Sequence, residues 1–332
     1  MTSSNSFALP DLKKISPLVG SENPHFARAS EESFQWALSF NIFVDRKMAY
    51  LKLSGSNLLC SHVYHYTGYD QLRTCMDFVN LLFTIDEISD EQNGTDAWKT
   101  GTTFINALSD ANFDDGTPLC KMSQEFRGRL ADAVNTSWYQ RFIKHCRDYM
   151  TAVAREAELR EQGIVLDLKS YEPLRRENSA VRCCFGLFGH TLGLDLPDEI
   201  FYHPLLYSMH LDAVDMVCWS NDLYSYNMEQ AMGHTTNNVL SVLMQEYNVD
   251  LQAASYLVGD HYKLLMDRFL DNKKKLPSFG PKMDKVVDRF VMAMEAWVAG
   301  NLNWSFETPR YFGRDRQRVK DTLVVNLYPR RC

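Results

Sequence analysis

In the segment QLRTCMDFVNLLFTIDEISDEQNG an apolar stripe runs straight into carboxylates, and that junction constrains the chain more than any other feature. Leu72, Cys75, Val79 and Leu82 recur at i, i+3, i+7 and i+10, which places them on one face of a helix. The next position on that face is Asp86. A carboxylate that continues a buried face is costly unless it is paired, hydrogen-bonded or bound to a cation. Asp90 follows one turn later, and Glu87 and Glu91 flank the pair. Acids at a helix C-terminus also oppose the macrodipole, so this end requires a compensating cation.

A second helix repeats the pattern. In SMHLDAVDMVCWSNDLYSYNMEQAMG, His210, Val214 and Val217 form a stripe that continues into Asn221, Ser225 and Glu229. Three oxygen donors at i, i+4 and i+8 lie along one helical edge, about 6 Å apart per step. Such ligands suit a hard divalent cation, and Mg²⁺ in particular retains waters and shares substrate phosphates.

Composition agrees with a helical reading. Only 16 glycines and 11 prolines punctuate 332 residues, which argues against a many-stranded sandwich or barrel. Helical periodicity dominates from Glu31 onward, broken by turn clusters near 54–57, 92–95, 112–118, 194–198, 232–238 and 276–282. We expect one all-α domain over 1–332, with residues 1–30 an irregular arm and 308–332 a mobile C-terminal segment. A formal charge of −7 disfavours a nucleic-acid partner. The start shows no basic-then-apolar leader, and no run of about 18 apolar residues exists, so neither a signal peptide nor a transmembrane span is expected. The eight cysteines show no zinc-like spacing and read as reduced thiols of a cytoplasmic protein. His62 and His65 read as packing residues rather than metal ligands.

Taken together these residues resemble the class I terpene synthases. Asp86-Glu87-Ile88-Ser89-Asp90 matches the aspartate-rich motif, and Asn221, Ser225 and Glu229 match the Asn/Ser/Glu triad. Arg175 in YEPLRRENSA matches the diphosphate sensor, and Arg310-Tyr311 matches the C-terminal pair. DFVNLLFTIDEISDEQNG, NDLYSYNMEQ and NLNWSFETPRYFG are similar to basidiomycete sesquiterpene synthases, nearest the branch with delta-6 protoilludene synthases. Two positions depart from the pattern: Glu87 stands where many relatives have Asp, and Met228 where many have Lys.

The resemblance implies a helical bundle around an apolar cavity, and a set of roles. Asp86, Asp90, Asn221, Ser225 and Glu229 would hold Mg²⁺, with three ions expected. Arg175, Arg310 and Tyr311, with Asp86, would bind and ionise the diphosphate of a prenyl substrate, farnesyl diphosphate being the leading choice. Asn178 and Ser179 would sit at a helix break beside the substrate, and Phe83, Phe185 and Trp304 would line the cavity. Tyr66, Phe78 and Phe188 stay open between cavity and core. Segment 308–332 would close as a lid, in a monomer or homodimer.

The implied product is delta-6 protoilludene, by 1,11-closure through a humulyl cation. The alternative is release of acyclic alcohols, linalool or nerolidol, from geranyl or farnesyl diphosphate. A chain-elongating prenyltransferase is disfavoured, because a triad stands where those enzymes carry a second aspartate-rich motif. A non-catalytic helical binding protein is the reading from another class.

Overall fold

Helix boundaries in this chain follow side-chain chemistry. Thr117, Thr136, Asp167, Asn238 and Asp250 each stand just before a helix, and each accepts a hydrogen bond from a backbone N–H two or three residues on. Gly163 and Gly233 end long helices in the left-handed conformation, at φ 64° and 81°. The computed structural model describes residues 6–43, 55–89 and 92–330.

After a strand at Ser6–Ala8 and a turn of helix at Leu12–Ile15, helices run over Phe26–Ser39, Ser56–Val63, Tyr69–Ser89, Gly94–Ser109, Pro118–Gly128 and Ser137–Gln162. Leu168–Asn178, Val181–Gly186, Phe188–Leu192 and Asp198–Phe201 lead into the long helix Pro204–Met232. Val239–Tyr247, Leu251–Lys275 and Pro281–Glu307 follow, and Pro309–Phe312, Arg316–Thr322 and a strand at Val324–Asn326 close the order. Most of the expected turn clusters fall at the ends of these helices.

Helix Pro204–Met232 is the axis of the bundle. Every residue from Asp212 to Ser220 is buried, whichever way it points, because helices pack on all sides. Leu251–Lys275 and Pro281–Glu307 cover it, with Leu168–Asn178 alongside. Pro281–Glu307 in turn lies tightly on Ser56–Val63. A Cβ at Gly300 would sit 2.8 Å from the His62 carbonyl, so only glycine permits this approach. The core is one continuous body of apolar side chains, and each fully buried Phe among them contributes about 1.5–3 kcal/mol.

Both chain ends differ from expectation. The arm is not irregular throughout: Ser6–Ala8 pairs antiparallel with Val324–Asn326, with Phe7 opposite Val325. Phe7, Leu9 and Leu12 are buried, and Ala8 receives a hydrogen bond from Gln252 while donating one back. The C-terminal segment, over 308–330, likewise carries helix and strand, with Phe312, Val319 and Val325 buried. Its polar sequence masked a few apolar residues that pack because a distant strand is present to receive them. His62 and His65 are packing residues, His62 Nε2 lying 2.8 Å from Glu307.

Candidate active site

Between these helices lies a cavity of about 270 Å³. Its buried wall is apolar and aromatic, with Val79, Leu82, Trp297 and Trp304. Half-buried polar residues form the rest: Asp86, Glu87, Arg175, Asn221, Glu229 and Arg310, with buried Tyr311 beside them. The two apolar stripes therefore lead to one mouth. Val79 and Leu82 line the wall two turns and one turn before Asp86, as the spacing requires.

A chain of hydrogen bonds crosses this mouth. Arg175 donates from Nε to Asp222 Oδ1 at 2.8 Å and from Nη2 to Asn221 Oδ1 at 2.9 Å. Asn221 Nδ2 donates to the Tyr311 hydroxyl at 2.7 Å. Behind Arg175, its Nη1 reaches Asn178 Oδ1 at 3.2 Å, and Asn178 Nδ2 donates to Glu156 at 2.7 Å. The sensor arginine, the first triad residue and the C-terminal tyrosine are thus one connected unit. Arg310 stacks its guanidinium over the Phe83 ring, 5.1 Å from the centroid, which fixes Phe83 at the mouth. Trp304 donates its indole N–H to Gly55 at 2.8 Å and packs edge-on against Tyr311.

The helix break falls after Ser179. Ala180 adopts φ 59°, the left-handed region that costs a non-glycine residue about 1 kcal/mol. Asn178, Ser179, Ala180 and Val181 all reach the cavity wall as a result. Ser179 caps the turn, donating from Oγ to Arg176 and accepting from the Val181 N–H.

Glu229 is a strongly perturbed carboxyl of the mouth. Burial, then the charge of Asp222, push its pKa up to about 7. Asn238 donates to it at 2.9 Å and Ser225 lies beside it, but no cation is within ion-pair distance among the described residues. Ser225 itself is buried, its hydroxyl 3.5 Å from the Asp222 carbonyl. A carboxylate held by neutral donors, beside an amide and a hydroxyl, is a donor set that fits a hard divalent cation. Asp86 lines the same mouth from helix Tyr69–Ser89, whereas Asp90 lies outside the described residues.

Phe185 is a correction. It is not on this cavity's wall but in the aromatic core, stacked on Phe188 at 4.8 Å and lying against Trp297 at 5.6 Å. The break at Ala180 turns the next helix so that Val181 and Cys184 face the cavity, which rotates Phe185 behind Trp297. Phe78 and Phe188 are also core residues, and Tyr66 is partly buried against that core.

Several wall residues escaped the sequence reading. Glu156 and Arg160 come from Ser137–Gln162, whose sequence gives no signal for them. Arg160 Nη2 lies 3.3 Å from the Ser89 carbonyl, and so supplies the cation that the acidic helix end requires. Trp297 and Asn301 were findable by counting seven and three residues back from Trp304. Met228 does line the cavity, and the arginines of the mouth among the described residues are Arg160, Arg175 and Arg310.

An aromatic-walled cavity closed by carboxylates, a polar triad and arginines defines a class of helical enzyme that binds an anionic head and an apolar tail. Comparison with known proteins agrees. Residues 77–268 match the family model described as "Terpene synthase family 2, C-terminal metal binding". The chain is 46% identical to the bifunctional terpene synthase Agr4 of Cyclocybe aegerita, over 98% of this chain and 94% of that one. It is 37% identical to sesquiterpene synthase 1 of Postia placenta, over 98% and 96%. It is 49% identical, over 97% and 93%, to a Coprinopsis cinerea protein named linoleate 10R-lipoxygenase COP4. Among solved structures, hedycaryol synthase superposes with a TM-score of 0.80 at 18% identity, covering 91% of this chain and 99% of that one. The chain belongs to the class I terpene synthase family, with its all-α fold, and is an enzyme of the lyase class.

Proposed function

We propose that this enzyme is a Mg²⁺-dependent sesquiterpene synthase that ionises farnesyl diphosphate and cyclises it. The observation that carries the reading is the unit Arg175–Asn221–Tyr311, set across the mouth of an apolar cavity. Asp86, Asp90, Asn221, Ser225 and Glu229 would hold the metal, three ions by family resemblance. When bound, the metal supplies Lewis-acid stabilisation of the departing diphosphate. Arg175 and Arg310 add fixed positive charge where the leaving group gains its negative charge, and Tyr311 donates a hydrogen bond there. Phe83 and Trp304 present ring faces to the cation that forms, and Asn178 and Ser179 hold the sensor loop against it.

The segment 308–332 acts as a lid that excludes water during these steps. We place the protein in the cytoplasm as a monomer or homodimer, with no nucleic-acid partner; no helix among the described residues is long and apolar enough to cross a membrane. The cavity wall does not fit the oxygenase chemistry in the name of the 49% relative. Non-haem iron oxygenases favour imidazole ligands, and the only imidazole on the cavity wall among the described residues is His234.

For the product, the resemblance supports 1,11-closure through a humulyl cation to delta-6 protoilludene. Incubation with geranyl, farnesyl and geranylgeranyl diphosphates plus Mg²⁺, followed by gas chromatography with mass detection, tests both levels. A dominant tricyclic hydrocarbon from farnesyl diphosphate is expected. A dominant linalool or nerolidol peak overturns cyclisation but not ionisation, and absence of diphosphate release overturns both.

A further inference from the structure

On the helix Pro281–Glu307, Trp297, Asn301 and Trp304 face the cavity at i, i+4 and i+7. Two are large aromatics. The amide between them is 3% exposed, and its orientation is fixed by chemistry. Asn301 Nδ2 donates to Ser220 Oγ at 3.0 Å. The Ser220 hydroxyl donates in turn to backbone carbonyls of its own helix, Met216 at 2.7 Å and Val217 at 3.0 Å. A hydroxyl has a single proton, so toward Asn301 it accepts, and the amide nitrogen must face it. Oδ1 then points the other way. It has no hydrogen-bond partner among the described residues, yet it is not among the buried atoms sealed from solvent. It opens onto the cavity.

We propose that Asn301 is a specificity-determining residue: its amide oxygen stabilises positive charge on the bound hydrocarbon and biases which carbon carries that charge when the reaction ends. This rests on the reading that the cavity ionises a prenyl diphosphate. As the C–O bond breaks, its electron pair leaves on diphosphate and the chain carries one positive charge. Each ring closure moves a C=C electron pair onto the cationic carbon and passes the charge to another carbon. Loss of a proton to the released diphosphate, or addition of water with loss of its proton, ends the sequence. In a water-excluded wall of rings and aliphatic side chains, a fixed amide dipole acts at full strength. Ser220 holds that dipole in place without lining the cavity.

Two substitutions of the full-length enzyme separate charge from shape. Asn301→Leu removes the dipole with little change of volume, and Ser220→Ala frees the amide while leaving the wall untouched. Diphosphate release and product ratios are read with farnesyl diphosphate and Mg²⁺, alongside circular dichroism. Release should stay within about threefold of wild type, while the ratio of the two leading products shifts roughly tenfold in N301L. S220A should shift it in the same direction by less. Unchanged ratios in both variants overturn the proposal. So does a shift in N301L with none in S220A, since shape alone then suffices. If N301L fails to fold, the S220A ratio decides. Failure of the wild type to release diphosphate would instead overturn the functional reading itself.

Discussion

Two stretches of the helix Pro204–Met232 bury acids on opposite terms. Before the stretch that reaches the cavity mouth, Asp215 receives Arg176 through Nε at 2.6 Å and Nη2 at 2.7 Å, and Asp212 receives Arg268. Toward the cavity, Asp222 is paired with Arg175 and also accepts from Tyr171 and the Val239 N–H. Glu229, two turns on, has only neutral hydrogen-bond donors among the described residues. Paired carboxylates hold helices together. A carboxylate with no ion pair among the described residues is the one we propose for a cation from outside.

That contrast breaks if exchanging the two kinds of acid gives the same result. Glu229→Gln should lower turnover by about 10²–10³-fold, in the range seen when one preorganised electrostatic contact to a reacting centre is lost. Its thermal melting without metal should stay near wild type or rise, since a strained charge is removed. Asp215→Ala should do the opposite. Leaving half-buried Arg176 without its partner costs about 1–3 kcal/mol, so melting falls while turnover per folded molecule at low temperature changes little. Equal losses of melting temperature in both variants would dissolve the distinction.

The titration of Glu229 sharpens it further. Its folded-state pKa lies above the usual carboxylate value, so the folded protein binds the proton more tightly than the unfolded chain. Glu229's own contribution to the stability of the metal-free protein is therefore greatest below the unfolded value of about 4.3 and is lost as pH rises through 7. Metal binding needs the ionised form and runs the other way. Affinity for Mg²⁺ should rise roughly tenfold between pH 6 and pH 8, as the ionised fraction grows, and flatten above that. Glu229→Gln should abolish the slope. A wild-type affinity independent of pH over this range would place the metal elsewhere.

The parts legible in the sequence were those where periodicity carries meaning. Two apolar stripes that end in oxygen donors identified Asp86, Asn221 and Glu229, because a helix keeps its phase and the polar residue must face what the apolar ones face. Phase is lost at a break, and Phe185 was misplaced because Ala180 resets the rotation of the helix that follows. Pairing between residues more than 300 positions apart leaves no local pattern, which hid the strands Ser6–Ala8 and Val324–Asn326. Glu156 and Arg160 were invisible for a related reason: charged residues on a long helix look solvated until a neighbour's mouth is placed over them. The resemblance supplied Arg175, Arg310 and Tyr311, whose roles no periodicity encodes.

The smallest expected effect lies where the two chain regions meet, at the end of the triad helix. Asn227 donates to the Asn326 carbonyl at 2.9 Å and accepts from the Tyr328 N–H at 2.7 Å, so it ties the C-terminal segment to the helix that carries Glu229. Each such bond is worth about 0.5–1.5 kcal/mol net. Asn227→Ala should therefore loosen residues beyond Val324 and speed their limited proteolysis by about fivefold to tenfold, without a measurable change in helical circular dichroism. The lid function attributed to 308–332 depends on Tyr311 and Arg310, which keep their own contacts to Asn221 and Phe83. Turnover should thus fall only about twofold to threefold, far less than for Glu229→Gln. Diphosphate with Mg²⁺ should slow cleavage in both proteins, because it adds contacts to Arg310 and Tyr311 that bypass Asn227. If ligand protects neither, closure of the segment over the cavity is not part of how this enzyme keeps water out.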